Sequence, residues 1–255
     1  MKIAITGKGG VGKTTLAATL SRIYAESGCS VLAIDADPDA NLALALGLPQ
    51  QLIDEIVPIA DMKGLAAERT NSEPGSTMFK LNPKVDDIPQ KYCKEHNGVK
   101  LLSLGKPDKG GGGCLCPENV LLRRLMSHLI LHDKNVVILD MEAGIEHLGR
   151  GTAESMDAFI VVVEPGIRSI QTYTHVKKLA QDIGIQKIFA VANKVKSESD
   201  KQFILEHIDT TLGFIPYSDA LIASDRAGQS PYDTCGPALH EIKNIATILR
   251  DIAKR

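Results

Sequence analysis

The sequence predicts an α/β fold, a doubly wound and mostly parallel sheet flanked by helices. Three observations carry this. Short β-branched or apolar runs alternate with helix-length amphipathic stretches, the rhythm of βαβ units. A glycine-rich turn, Gly7 to Gly12, joins the first such run to the first helix. The 255 residues are 44% apolar, enough for a sizeable core, yet no stretch reaches the roughly 18 uninterrupted apolar residues of a membrane span. A single domain over residues 1–255 is expected, since no strong linker or internal repeat interrupts it.

In chain order, a strand is expected at Lys2–Thr6, a helix at Thr14–Ser27 and a second strand at Ser30–Asp35. Residues from about 50 to 98 are less regular and marked by proline (Pro49, Pro58, Pro74, Pro83 and Pro89), which reads as a lobe or insertion on the same domain. Strand Val99–Leu104 and helix Pro117–His132 come next, the latter opening with the proline that a first helical turn tolerates. Strands follow at Asn135–Asp140, Ala158–Glu164 and Lys187–Asn193, with helices at Ile170–Ile183 and Ala238–Ala253. In the last helix Leu239, Ile242, Ile245, Leu249 and Ile252 recur at helical spacing, a face suited to packing on the sheet.

Charge narrows the partners. With 29 basic against 31 acidic residues the net charge is −2, so there is no general cationic field, and neither nucleic acid nor membrane is an expected partner. The first residues enter a strand without the pattern of a signal peptide, which points to the cytoplasm. There, thiols stay reduced unless a metal holds them. Of five cysteines, Cys29 and Cys235 read as bystanders and Cys93 as an exposed surface thiol, while Cys114 and Cys116 form a Cys-x-Cys pair.

Eight of the 22 glycines lie in two clusters, Gly7 to Gly12 and Gly110 to Gly113. The first belongs to Gly7-Lys8-Gly9-Gly10-Val11-Gly12-Lys13-Thr14-Thr15, between strand and helix, where backbone N–H groups and a helix N-terminus can surround phosphate oxygens. The string also satisfies the dinucleotide fingerprint, with Asp35 downstream. Lys13 and Thr14 decide for a nucleoside triphosphate, because only that ligand needs a lysine for its β- and γ-phosphates and a hydroxyl for Mg²⁺ directly after the last glycine. Asp35-Ala36-Asp37-Pro38 and Val136-Val137-Ile138-Leu139-Asp140 place acids at strand ends, which face the ligand crevice of such folds. An aspartate helix cap before Asn41 is the alternative for the first pair.

The whole loop resembles the deviant Walker A motif of the P-loop family (SIMIBI-like) that includes nitrogenase iron protein, the Min and Par ATPases and the arsenite and tail-anchor ATPases. The resemblance implies ATP or ADP with Mg²⁺ on Gly9, Gly10, Val11, Gly12, Lys13, Thr14 and Thr15, and a homodimer in which Lys8 crosses to the other copy's nucleotide. It further implies Asp37 positioning the attacking water, Asp35 and Asp140 acting on Mg²⁺ through water, and Gly144 sensing the γ-phosphate. Asn193 is implied as the adenine contact and Pro216 as lying against the base, although either residue can also simply end a strand.

The second cluster runs Gly110-Gly111-Gly112-Gly113-Cys114-Leu115-Cys116-Pro117. Residues two apart in an extended segment point the same way, so both sulfurs can approach one ion, and the dipole of the following helix favours thiolates. One chain supplies two ligands where a closed thiolate site wants four, and a two-fold dimer would supply Cys114 and Cys116 twice. Together with the long switch II run Asp140 to Leu148, this resembles the CooC family of nickel-insertion ATPases, maturation factors of carbon monoxide dehydrogenase, and the related AcsF factor of acetyl-CoA synthase. Nickel as cargo, with Zn²⁺ also possible at the same sulfurs, and one of those two enzymes as client are what this resemblance implies. Two alternatives stay open: an electron donor like nitrogenase iron protein, disfavoured because residues 140–148 hold no cysteine, and a Min- or Par-like positioning ATPase.

Overall fold

The computed structural model describes residues 1–72, 79–105, 116–132, 136–142, 152, 155–234 and 236–254. Its strands are β1 (Lys2–Gly7), β2 (Val31–Ala36), β3 (Lys94–His96), β4 (Val99–Ser103), β5 (Val136–Met141), β6 (Ala158–Val163), β7 (Ile188–Val195) and β8 (Thr211–Pro216). They form one sheet in the order β3-β4-β2-β5-β1-β6-β7-β8. Every neighbouring pair is parallel except the β3–β4 hairpin at the edge. β1 lies between β5 and β6, so the turn that leaves its carboxyl end opens onto the crevice where the strand order reverses.

Alternation along the central strands divides the core between the two faces. Ile3 and Ile5 of β1, with Val31 and Ala33 of β2, bury against α1 (Lys13–Glu26), α2 (Leu42–Ala45) and the long final helix Gly236–Ala253. Ala4, Leu32 and Ile34 face the other way, toward Ile59, Ala66 and Ile88 and the helices Pro117–His132 and Ile167–Asp182. β5 and β6 are buried along their whole length, which matches their near-continuous Val, Ile and Leu content. α1 leaves its last turn through Gly28 at φ 83, where the Cys29 N–H donates to the Tyr24 carbonyl at 3.1 Å.

The segment from about 50 to 98 is more ordered than its prolines suggest. It holds α3 (Gln50–Asp54), a 3₁₀ turn at Ile59–Asp61, α4 (Lys63–Thr70) and α5 (Ile88–Tyr92). Ile59, Ala66, Val85 and Ile88 are buried with Leu121 and Leu125 of α6 (Pro117–His132), so the segment covers one face of the sheet. Arg69 clasps Asp87 through two 2.8 Å hydrogen bonds, and with Lys91 it holds that carboxyl well below the usual carboxylate range.

The remaining helices are α7 (Ile167–Asp182), α8 (Glu198–His207), α9 (Asp219–Arg226), α10 (Pro231–Thr234) and α11 (Gly236–Ala253). α8 begins with a capping box in which Ser197 and Asp200 satisfy each other's backbone N–H groups. In α11, Ile242, Ile245 and Leu249 are buried, Leu239 and Ile252 at its ends are half-buried, and Tyr24 donates its hydroxyl to the Ala246 carbonyl, so the middle of the expected apolar face packs inside the protein. Among the described residues no helix is long and apolar enough to cross a membrane.

Two strands escape the sequence reading. β3 is three residues long and pairs only through the two-residue turn Asn97-Gly98, both at positive φ. β8 carries Gly213, and a Cβ there would stand 2.8 Å from Ile245 Cγ1, so the missing side chain lets α11 pack onto the strand. Cys93 corrects the expectation of an exposed thiol: it is half-buried against the core, because the short α5 turns its C-terminal end inward before β3. Cys235 lies outside the described residues.

Candidate functional site

The loop between β1 and α1 is built by its glycines. Gly7 (φ 148) passes so close to β6 that a Cβ would meet the Val162 carbonyl at 2.5 Å, and Gly10 (φ 78) and Gly12 (φ 97) take left-handed turns. These turns aim the loop at the N-terminus of α1, whose first residues are Lys13, Thr14 and Thr15. A cleft of about 660 Å³ opens there, with Gly9, Lys13, Thr14 and Asp37 on one side and Pro216 and Leu221 on the other. That volume suits a nucleotide-sized ligand.

Lys13 is 7% exposed, and its ammonium lies 3.6 Å from Asp37, which β2 delivers to the same cleft. Asp37 also accepts the Asp39 N–H at 3.0 Å, a local turn that keeps its carboxylate facing the loop. Asp35 is used differently from its neighbour. One oxygen accepts the Leu42 N–H at 3.0 Å and the other the Asp37 N–H at 3.3 Å, so Asp35 shapes the turn after β2 and caps α2. The cap alternative therefore describes Asp35, whereas Asp37 is the acid presented to the ligand space.

Asp140, next to last in the buried strand β5, is 1% exposed, yet neither of its oxygens makes a well-formed hydrogen bond among the described residues. Burial pushes its carboxyl up to about 6, opposed by the facing Thr14 hydroxyl and the Lys13 ammonium. An orphaned carboxylate beside a helix-terminal hydroxyl is a hard oxygen donor set, and it fits Mg²⁺. Asp35 is likewise pushed up by burial, to about 7, with the nearby Asp140 charge adding to the rise and its backbone donors opposing it.

These two carboxyls make a pH prediction. A raised folded-state pKa favours the protonated folded chain, so this contribution is complete below about pH 4 and is lost as pH rises through about 6 and 7. Nucleotide-free, Mg²⁺-free protein should be about 1–3 kcal/mol more stable toward urea at pH 5.5 than at pH 8. Asp35→Asn should flatten most of that slope, and a flat native profile would mean that the carboxyls are solvated.

Asn193, at the end of β7, is 6% exposed and donates from Nδ2 to the Val11 carbonyl at 2.8 Å, while its Oδ1 accepts the Lys194 N–H. The role the structure displays for Asn193 is thus to hold the phosphate loop. Pro216 lines the far wall of the cleft, next to Tyr217. Lys8 is exposed on the outer side of the loop, where it meets solvent in a single chain. Residues passed over by the sequence reading also line the cleft: Leu44, Leu221 and Ile222 make an apolar rim, and Lys194 reaches back to the loop.

A family model described as the CobQ/CobB/MinD/ParA nucleotide binding domain matches residues 2–232. The carbon monoxide dehydrogenase accessory protein CooC of Rhodospirillum rubrum is 51% identical over 236 residues, covering 91% of this chain and 90% of that one. The chain belongs to the MinD/ParA-type nucleotide-binding family, in its CooC branch. An uncharacterised ATP-binding protein of Methanocaldococcus jannaschii is 45% identical over 96% of both chains. Among solved structures, the MinC:MinD cell division complex of Aquifex aeolicus aligns with a TM-score of 0.71 over 98% of this chain and 96% of that one, at 22% identity, which speaks for the fold.

For a CooC-type chain the Cys-x-Cys segment is the second place of interest. Cys116 is half-buried and precedes α6, where its carbonyl accepts the Val120 N–H at 3.0 Å. Cys114, Gly144 and the glycines 110–113 lie outside the described residues. Among the described residues no group of three or more His, Cys, Asp or Glu side chains is placed to hold a metal. The first turns of α6 do approach the end of β2: Asn119 and Leu122 border a small cleft together with Ala36, one residue before Asp37.

Proposed function

We propose that this chain is a Mg²⁺-dependent ATPase that works as a cytoplasmic homodimer, carries one nickel ion between two copies, and delivers it to carbon monoxide dehydrogenase or acetyl-CoA synthase. The observation that carries the reading is the Cys-x-Cys pair at the mouth of α6 in a chain this similar to a carbon monoxide dehydrogenase accessory protein. On this reading all 255 residues form one ATPase domain.

ATP would lie along the cleft with its phosphates in the N–H groups of Gly9 to Thr15 and its base between Asn193 and Pro216. Lys13 would leave Asp37 for the β- and γ-phosphates, which frees the Asp37 carboxylate to orient a water at the γ-phosphorus. Bound Mg²⁺ supplies positive charge at the phosphate oxygens, and Thr14 and Asp140, with Asp35 behind them, would hold it. Lys8 of a second copy adds a further cation as the dimer closes.

Cys114 and Cys116 from each copy would complete a four-sulfur site. Soft thiolates suit Ni²⁺ and Zn²⁺ alike, so the client and its metal supply, rather than the sulfurs, set the physiological cargo. The small cleft shared by Ala36 with Asn119 and Leu122 of α6 supports a mechanical link between nucleotide and metal, in which a movement of Asp37 on losing Lys13 would reach the start of α6. Coupling follows if ATP and ADP bind the open and closed dimers unequally.

The test is metal stoichiometry. Protein equilibrated with Ni²⁺ should retain one ion per two chains and run as a dimer in light scattering. Cys114→Ser and Cys116→Ser should each lose the ion while still binding MgADP. Unchanged metal content in both variants would remove the proposed metal site.

A further inference from the structure

A loop that binds phosphate through its N–H groups turns its carbonyls the other way, and those carbonyls need donors of their own. Here two consecutive carbonyls find them on two consecutive residues: Val11 accepts from Asn193 Nδ2 at 2.8 Å, and Gly10 accepts from Lys194 Nζ at 2.7 Å. Successive residues of a regular strand point to opposite faces, so this pairing needs a break in β7. It is present. The β7–β8 register is interrupted between Ala192 and Val195, and Lys194 has a left-handed backbone, φ 58, which is uncommon for a side chain of its kind.

A second group orients the ammonium. Glu164, just beyond β6, lies 3.2 Å from Lys194 Nζ. Both side chains are partly solvated, which leaves the ion pair itself a modest contributor, whereas the hydrogen bond to the Gly10 carbonyl is charge-assisted. Around it the loop is anchored by Val11, which is buried in the core and donates its N–H to the Lys8 carbonyl at 3.4 Å, whereas a Cβ on Gly9 or Gly10 would point into open space. Left-handed strain kept at a non-glycine position beside a ligand cleft is the kind of cost that persists where the side chain has work to do there.

We propose that Lys194, oriented by Glu164, is a positioning residue: it holds the Gly10 carbonyl outward so that the loop's N–H groups converge on the nucleotide phosphates before nucleotide arrives. The proposal rests on the assignment of the loop as a nucleotide phosphate site and is independent of nickel and client.

Calorimetric titration with MgADP, joined to hydrogen exchange of the loop amides in nucleotide-free protein, tests it. Lys194→Met should weaken MgADP binding about tenfold or more, the equivalent of one charge-assisted hydrogen bond, and speed exchange at residues 10–13 without nucleotide. Lys194→Arg keeps charge and donors and should stay within about threefold of the native affinity. Lys194→Gly should weaken binding as Met does, although glycine suits the left-handed backbone, which separates the loss of the clamp from loss of fold. Native-like affinity in Lys194→Met overturns the proposal. So does weaker affinity with unchanged exchange in the nucleotide-free loop, which would mark Lys194 as a direct ligand contact. If the native chain binds no MgADP, the phosphate-site assignment falls and the proposal falls with it.

Discussion

Lys13→Met is expected to lower ATP turnover about 10²–10³-fold, the usual loss when one preorganised charge is removed from a group in transfer. Stability toward urea should fall by about 1–3 kcal/mol, because a mostly buried carboxylate is left without its cation. Methionine keeps the apolar stem that the buried Lys13 packs with, and the partner left behind, Asp37, whose side chain is 15% exposed, keeps the Asp39 N–H, which limits the loss. Removing the ammonium also removes a charge that restrains the Asp140 carboxyl, so Asp140 should titrate higher in the variant than in the native chain. A phosphate-release assay and a urea titration read the two effects separately. Turnover within tenfold of native would mean that Lys13 does not face the transferred phosphate.

Gly12→Ala is expected to abolish measurable nucleotide binding and to destabilise the fold by roughly 2–4 kcal/mol, summed from a left-handed alanine and two lost hydrogen bonds. Gly12 sits at φ 97, and a Cβ there would stand 2.2 Å from Asn193 Nδ2. The Asn193 amide has no easy retreat, because its two ends are fixed to the Val11 carbonyl and the Lys194 N–H. In a domain of this size such a loss lowers the melting temperature by roughly 5–15 °C. The double variant Gly12→Ala, Asn193→Ala removes the clash and should be less unstable than the sum of its parts, while nucleotide binding stays lost. Strict additivity would mean that the two residues do not touch.

Much of this site was legible because its parts are local. The loop's glycines, Lys13 and Thr14 are contiguous, and their spacing is the chemistry: N–H groups, a cation and a hydroxyl at the start of one helix. The same holds for acids at strand ends, since a parallel sheet brings all its carboxyl ends to one edge. Asp35 and Asp140 sit side by side in the β2–β5 register, as that rule requires. Short elements were harder. The β3 edge strand shows only in its Asn97-Gly98 turn, and the helices between 50 and 98 are held by burial beneath α6 rather than by long periodic faces.

Periodicity and motif spacing therefore determined the class of fold and pointed to a phosphate loop and to acids at the strand ends, because each depends on residues adjacent in the chain or on a rule that applies to all parallel sheets. Folding settled how individual side chains are used. Asp35 bonds the backbone around α2 while Asp37 meets Lys13, and Asn193 and Lys194 grip carbonyls some 180 positions away in the chain. The physical reason is that a hydrogen-bonding side chain takes whichever unsatisfied partner the fold sets beside it. For the loop carbonyls, those partners come from the bent end of β7.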